Sequence, residues 1–300
     1  MRLNNSRIPR SDEFIRTNRG TNKFVTTRAV GTLITYALLA IVIALFLFPL
    51  VWMFSYAVRS VNLPAPSQLE FFTPPLAFEN FARLNEFFPL SQFALNSLRI
   101  VAFAVPLTLL TASWAGFAIA QLPPRARNFF LGMSIALMLV PALATWIPRF
   151  VLFAQLGWID SILPVLAPAV MGTNPFFVIL FYLAFRRVPR EVYESAYLDG
   201  ANALRIWWSI ALPLARPALL AVAILAAAYY WSNYADALLY LRREINYTLP
   251  IGVQLLEKAQ ANNFPLMMAA AVIMVAPVLV LFLFVQPYFL QGKIAERWLK

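Results

Sequence analysis

The stretch RRVPREVYESAYLDGANALRIWWSIALPLAR, residues 186–216, is a polar segment between two long apolar runs. Pro189 suits the first turn of a helix, and Glu191 and Glu194 place carboxylates in the first two turns, near the positive end of the helix dipole. Gly200 can end that helix, because glycine readily adopts the left-handed backbone conformation found there. The segment therefore predicts a short helix closed by a glycine turn.

A second short amphipathic segment follows the glycine. Ala203, Trp207 and Ile210 recur at helical spacing and are expected on one face. Pro213 and Pro217 prevent this helix from continuing, because proline has no backbone N–H to donate. The sequence thus predicts two short helices around a turn, placed at a membrane surface, where they can act as a lever.

Six apolar runs are long enough to cross a bilayer. Of 300 residues, 61% are hydrophobic and 12% are charged, and the mean hydropathy is +0.70, far from the balance of an ordinary soluble domain. A spanning helix needs about 20 apolar residues. The expected fold is an all-α integral membrane protein with six transmembrane helices, at residues 33–58, 98–120, 129–147, 163–185, 217–241 and 266–290.

The net charge of +11 lies on one side of these spans. With the N-terminus in the cytoplasm, the cytoplasmic segments hold 17 basic and 6 acidic side chains, whereas the outer segments hold 7 of each. This positive-inside bias predicts that both termini and residues 186–216 are cytoplasmic. A nucleic-acid surface would need a folded basic face. No soluble segment is large enough to form one, so no nucleic-acid partner is expected.

The chain contains neither cysteine nor histidine. This excludes disulfides and thiolate chemistry, and it removes both the usual metal ligand and the side chain most used for proton transfer near neutral pH. The sequence also lacks a phosphate-binding loop of the Gly-x-x-x-x-Gly-Lys-Ser/Thr type. We therefore expect no catalytic residue, no metal and no bound cofactor, with energy supplied by another subunit.

The polar segment resembles the cytoplasmic loop of the membrane-spanning permease subunits of binding-protein-dependent ABC importers. That loop carries a Glu-Ala-Ala, then Asp-Gly-Ala, then Leu-Pro and Pro pattern, found here at residues 194–196, 199–201, 212–213 and 217. Ser195 replaces an alanine, and a tryptophan replaces the usual phenylalanine. By this resemblance the loop couples the bundle to an ATPase, and its coupling residues are Glu194, Ser195, Ala196, Asp199, Gly200, Ala201, Trp207, Pro213 and Pro217.

Weaker features extend the resemblance to the carbohydrate-importing branch, specifically the maltose-type second permease. They are Asn96-Ser97-Leu98, Pro141 with Pro148, Gly157, Trp231 and residues 247–252. The resemblance covers most of residues 30–290.

The resemblance implies an ABC type I importer permease. A permease domain (residues 30–290) with its coupling loop (186–216) would lie between cytoplasmic tails at 1–29 and 291–300. It also implies a bacterial or archaeal inner membrane and four kinds of partner: a second homologous permease, two ATPase subunits that use ATP and Mg, an extracytoplasmic solute-binding protein, and the lipid bilayer.

The fifth expected span ends in YYWSNYAD, residues 229–236. Aromatic faces can stack on a sugar ring, and amide and carboxylate groups can pair with its hydroxyls. Polar groups within a span usually face a cavity, but an aromatic belt at the outer membrane surface accounts for the same residues equally well. The candidate substrate-pathway residues are Tyr230, Trp231, Asn233, Tyr234 and Asp236.

The expected function is one half of the translocation pathway of an ATP-driven sugar importer. An importer of glycerol phosphate, amino acids, peptides or metals is an alternative within the family. A secondary transporter would need an ion site in mid-membrane, for which Asp236 is the nearest candidate. A membrane-bound enzyme would need a polar catalytic cluster, and the chain lacks histidine and cysteine.

The topology can be tested with single cysteines, because the natural chain has none. Cysteines at Ser11 and Asn202 should be protected from a membrane-impermeant thiol reagent in intact cells. Cysteines at Ser67 and Asn262 should be labelled, since the positive-inside bias places them outside. Labelling of Asn202→Cys from outside would invert this topology.

Overall fold

The computed structural model describes residues 11–61, 63, 68–170 and 174–298, and the described chain is helical throughout, without a strand. This confirms the all-α class. Contacts divide the chain into two units, residues 1–55 and 56–300.

The α-helices are α1 (Ser11–Ala57), α2 (Asn80–Phe87), α3 (Leu90–Gln121), α4 (Pro124–Met138), α5 (Ala142–Gln155), α6 (Leu163–Val170), α7 (Pro175–Phe185), α8 (Arg190–Leu198), α9 (Ala203–Ile206), α10 (Leu212–Leu214), α11 (Arg216–Trp231), α12 (Tyr234–Tyr240), α13 (Leu249–Ala259) and α14 (Phe264–Trp298).

The helix α1 contains the first expected span. It begins at Ser11, within the segment predicted as the N-terminal tail, and continues to Ala57. Its portion Gly31–Ala57 is 27 residues long and apolar enough to cross a membrane. The side chains of residues 31–49 are exposed, as suits a helix whose apolar surface meets lipid.

Three more segments are long and apolar enough to span a membrane: Leu90–Gln121, Leu163–Phe185 and Phe264–Tyr288. They correspond to the second, fourth and sixth expected spans. The fourth runs through residues 171–173, which lie outside the described part of the chain. The last helix, α14, extends to Trp298, so the predicted C-terminal tail is a continuation of the helix through most of its length.

The third expected span, residues 129–147, is not a straight helix. The helices α4 and α5 meet at 93° and qualify as a span only when taken together. Pro141 explains the break, because it cannot donate a backbone hydrogen bond and it disfavours helical geometry at Val140. The prediction of a single helix there was wrong, although the pair can still cross the membrane as a broken span.

The fifth expected span, residues 217–241, is also interrupted. The helix α11 ends at Trp231, and α12 begins at Tyr234. At its other end α11 makes an angle of 85° with the Ala203–Leu214 segment. The short helices after Gly200 therefore run almost perpendicular to this span, as a loop lying along a membrane surface would.

The core of the second unit forms around α3, which packs against α6, α7 and α11. Gly116 lies at the contact of α3 with α7: a Cβ atom there would lie 2.7 Å from Phe181 Cβ and 2.8 Å from the backbone nitrogen of Tyr182. Phe181 and Phe185 are fully buried beside it and stack on each other, with ring centroids 5.9 Å apart. A glycine contact thus sets the distance between α3 and α7.

We expect Gly116→Ala to lower the thermal stability of the purified protein, because the added methyl group meets backbone that cannot move easily. Overpacking of this kind costs about 1–3 kcal/mol. The matched control is Gly132→Ala in α4, where a Cβ atom has open space and should stabilise the helix slightly. Equal melting temperatures for the two variants in detergent would contradict the proposed close contact.

Candidate functional site

The helix α8 carries the first half of the predicted coupling loop. Pro189 lies at its N-cap, and Glu191 is in its first turn. At its end Gly200 has a φ of +80°. The Gly200 N–H donates to the Tyr197 carbonyl at 3.0 Å, and the Ala201 N–H donates to the Ala196 carbonyl, also at 3.0 Å. This pair of bonds is the glycine C-cap that the sequence indicated.

One face of α8 packs against the bundle. Tyr193 and Ala196 are buried, and the Phe117 ring of α3 meets the rings of Tyr193 and Phe185 edge to face, at 5.9 and 5.7 Å. Burial raises the pKa of Tyr193 to about 12, so its hydroxyl stays neutral and donates to the Phe185 carbonyl at 3.4 Å. Displacement of α8 would therefore act directly on α3 and α7.

The opposite face of α8 is exposed. Glu194, Ser195 and Asp199 lie on it, together with Leu198, which is 89% exposed. Sequence reasoning missed Leu198; the available signal was a leucine out of register with the buried Tyr193. A large apolar side chain displayed beside carboxylates is typical of a surface that another protein covers.

The second half of the predicted coupling loop buries three apolar side chains. Asn202 caps α9 by accepting the Arg205 N–H at 2.9 Å. Ile206, Trp207 and Ala211 are buried, whereas Ala203 is exposed. The Trp207 N–H donates to the Ala203 carbonyl, so Trp207 follows Ala203 by one regular helical turn, and only Trp207 of this pair is buried.

A π turn follows at Trp207–Ala211. In it the Leu212 N–H donates to the Trp207 carbonyl, five residues back, so the following side chains rotate away from regular helical positions. Pro213 contributes because it has no N–H for the regular bond. Pro217 is the second residue of α11, where proline is tolerated.

A cleft of about 760 Å³ lies beside α8. One wall is the turn between α3 and α4, residues 121–124, and the other is formed by the end of α7 and by α8 itself. Its charged lining residues are Arg186, Arg187, Arg190, Glu191 and Glu194. The cleft is therefore a recess lined by side chains of both charges, next to the exposed face of α8.

Two aromatic residues of the predicted substrate pathway, Tyr230 and Trp231, are buried within the chain. Tyr230 is 3% exposed, and its hydroxyl accepts from Thr108 at 3.4 Å. The Trp231 N–H donates to the Met274 carbonyl of α14 at 2.8 Å. Tyr230 and Trp231 therefore connect α11 to α3 and α14.

The polar residues of the pathway stabilise the break between α11 and α12. The Asn233 side chain accepts the Asp236 N–H at 3.1 Å and donates to the Asp236 carboxylate at 2.9 Å. That carboxylate is also 3.2 Å from the guanidinium of Arg149, which lies over the Tyr240 ring at 5.7 Å. Tyr234 donates to Gln254. The predicted residues thus lie together, and each has an internal partner.

Arg149 was not recognised from the sequence as a site residue. It lies on α5, and its ion pair with Asp236 on α12 joins the two broken spans. Two lone, opposite charges in apolar runs were the signal that could have found the pair, because ionisable residues within spans usually pair with each other.

A second connection fixes the loop between α12 and α13. The Asn96 amide donates to the Ile245 carbonyl at 2.7 Å and to the Tyr247 carbonyl at 3.0 Å. The Ser97 hydroxyl accepts the Leu249 N–H at 2.9 Å. Two separate stretches of the resemblance, at residues 96–98 and 247–252, are therefore in contact with each other.

Asp160 holds the same loop from the other side. Its carboxylate accepts the N–H groups of Arg242 and Arg243, each at 3.0 Å, and it also accepts from the Asn246 side chain. Burial alone would raise the pKa of Asp160, but these hydrogen bonds and the Arg243 side chain hold it below its usual range. The carboxylate is therefore charged throughout the physiological range of pH.

Residues 104–294 match the model of a protein family described as the binding-protein-dependent transport system inner membrane component. The chain belongs to this family. The matched region includes the coupling loop, both broken spans and the ion pair. As a member of this family, the permease is a membrane-spanning transport subunit and not an enzyme.

Curated relatives agree with this assignment. The permease is 33% identical over 197 residues, 66% of its own length and 70% of the relative's, to an arabinooligosaccharide transport system permease of Halalkalibacterium halodurans. It is 27% identical to a melibiose, raffinose and stachyose import permease of Bacillus subtilis, over 74% of this chain and 80% of that one. It is 24% identical to a lactose transport system permease of Rhizobium radiobacter, over 90% and 97%.

Solved structures share the fold. A chain of a bacterial ABC transporter involved in the import of the acidic polysaccharide alginate superposes with a TM-score of 0.70 at 24% identity, covering 88% of this permease and 98% of that chain. A second structure, of a bacterial alginate ABC transporter in complex with a periplasmic protein bound to an alginate pentasaccharide, gives 0.62 at 16% identity, over 84% and 92%.

The ion pair of the permease can be tested by removing its partners singly and together. Asp236→Asn and Arg149→Met each leave a largely buried polar or charged group without its partner, which costs about 3–5 kcal/mol. The double variant Arg149→Met with Asp236→Leu removes both charges and should melt at a higher temperature than either single variant. A double variant no more stable than the singles would show that the pairing does not cause the loss.

Proposed function

We propose that this chain is the permease subunit of an ATP-driven, binding-protein-dependent sugar importer in a cytoplasmic membrane. The observation that carries the proposal is the two-faced helix α8. Tyr193 and Ala196 seat one face on the bundle, while Leu198 and the carboxylates of Glu194 and Asp199 are displayed on the other. A surface helix that packs on the bundle through one face and is exposed on the other is suited to transfer motion from a partner protein.

The partners follow from this assignment. A second, homologous permease would complete the pathway. Two ATPase subunits would bind ATP and Mg and would dock on α8 and its cleft, and an extracytoplasmic binding protein would deliver the solute. The charge distribution supports a cytoplasmic position for both termini and the coupling loop, on the side where the ATPases would bind.

Coupling would run from α8 into the bundle. Closure of the ATPases displaces the exposed face, including Leu198, and the buried aromatic contact of Tyr193 with Phe117 carries the displacement to α3. The glycine C-cap at Gly200 keeps α8 and the following short helices at a fixed angle. The paired permeases then alternate between inward and outward access, and binding of ATP biases one of the two states.

Sugar is the solute class best supported. The relatives in three organisms are named for oligosaccharides and lactose, and residues 229–236 bring aromatic and polar groups together at a helix break. Because Tyr230, Trp231, Asn233 and Asp236 already have internal partners, we infer that they shape and stiffen the pathway wall. The second permease would supply more of the groups that meet sugar hydroxyls.

Gly200→Val tests the coupling role. Valine is strained at a φ of +80°, at a cost of about 1–3 kcal/mol, so the turn after α8 should distort. In the reconstituted importer, basal ATP hydrolysis should persist, while its stimulation by loaded binding protein should fall severalfold. The matched control is Gly157→Val, where φ is +67° in an equivalent helix C-cap after α5; its stimulation should stay near the wild-type ratio.

Two results would contradict the proposal. Wild-type stimulation in Gly200→Val would remove the coupling role from this turn, and an equal loss in Gly157→Val would show that backbone strain acts generally. The solute class is a separate readout in the same assay. Stimulation by binding protein loaded with glycerol phosphate, and none with oligosaccharides, would overturn the sugar assignment and leave the coupling role intact.

A further inference from the structure

A groove of about 620 Å³ lies where the coupling loop meets the fifth span. The helix α3 forms one wall through Leu109 and Leu110, and the π turn and α10 form another through Trp208 and Leu212. Arg216, the first residue of α11, is the charged member of the lining, and Leu219 follows one turn later. The groove is thus a long apolar surface with a cation next to it.

Two hydrogen-bond donors near this groove have no partner among the described residues. Trp207 is 4% exposed, and its indole N–H has no acceptor among the described residues. The ring is held between Trp114 at 5.1 Å and Trp208 at 5.7 Å. Arg216 forms no ion pair within the described part of the chain, and it lies at the positive end of the α11 dipole, where a cation is disfavoured without an anion.

We propose that this groove binds one anionic phospholipid of the inner leaflet. Its acyl chain would lie along the apolar walls, and its phosphate would pair with the Arg216 guanidinium. A guanidinium and a phosphate form strong paired hydrogen bonds. Tryptophan favours the depth at which head groups and acyl chains meet. The choice of leaflet rests on the proposed topology.

The lining favours a lipid over a transmembrane helix of another subunit. Helices that pack closely in membranes meet through small residues, whereas this groove is walled by leucine, tryptophan and proline, with Ser113 as a small exception. The indole of Trp208 is 64% exposed at its edge. A flexible chain with an anionic head matches an apolar channel beside a cation.

The position of the groove gives such a lipid a role. Its walls belong to α3, to the π turn of the coupling loop and to α11, the elements on both sides of the 85° bend. A lipid bound there would stabilise the bend, and anionic lipid would therefore strengthen the connection between the coupling loop and the fifth span.

The test is native mass spectrometry of the full chain in mild detergent, with phosphatidylglycerol and phosphatidylcholine of identical acyl chains. The wild type should retain one phosphatidylglycerol with about tenfold preference, the size of effect that one charge-assisted hydrogen-bonded pair provides. Arg216→Gln, at an exposed position, should abolish the preference, and Arg216→Lys should restore part of it.

The matched control is Arg125→Gln, which removes an exposed arginine on the same predicted side of the membrane, away from the groove. It should retain the wild-type preference. Equal retention of the two lipids, or unchanged preference in Arg216→Gln, would overturn the proposal. So would cross-linking of Leu110→Cys to another protein subunit in native membranes, because it would show that protein covers the groove.

Discussion

In the hydrocarbon of a bilayer, every backbone N–H and C=O must find its partner within the protein. This constraint explains where the polar residues of the permease lie. The break after α11 is closed by Asn233, which caps α12. The break between α4 and α5 is followed by Arg149, and its pair with Asp236 joins the two interrupted spans. Polar chemistry in this bundle is concentrated where helices stop.

The two ends of the bundle are held by different forces. At one end, Asp160 and Asn96 fix the loop before α13 through hydrogen bonds to its backbone. At α8, the contact with the bundle is made by the aromatic rings of Tyr193 and Phe117 and by a single hydrogen bond from Tyr193. The loop before α13 is thus fixed by directional bonds, whereas α8 is held mainly by apolar packing.

Local signals in the sequence were sufficient for several features. The glycine C-cap at Gly200 and the positions of four spans follow from residue type and run length alone. The break at Pro141 did not follow, because proline in a membrane helix often produces only a kink, and the neighbouring helices decide between the two. The ion pair of Arg149 with Asp236 could not be predicted either, because hydropathy gives no information about which spans are neighbours.

The register of the second coupling segment shows a further limit. A 3.6-residue period placed Ile210 on one face with Ala203 and Trp207, but a π turn at Trp207–Ala211 changes the rotation of the side chains after Trp207. Nothing in the spacing of apolar residues marks such a turn, although Pro213 marks a missing donor. The regular helical spacing assumed in the prediction therefore ends at Trp207.

The seating of α8 on aromatic rings also has a thermal consequence. Apolar contacts lose strength on cooling, because the hydrophobic effect weakens at low temperature, whereas the hydrogen-bonded carboxylate of Asp160 does not depend on that effect. Cooling therefore weakens the packing of Tyr193 and Ala196 on the bundle before it weakens the loop that Asp160 holds. Under the proposed coupling role of α8, transport in a cold-exposed cell would then lose its connection to ATP hydrolysis before that loop opens.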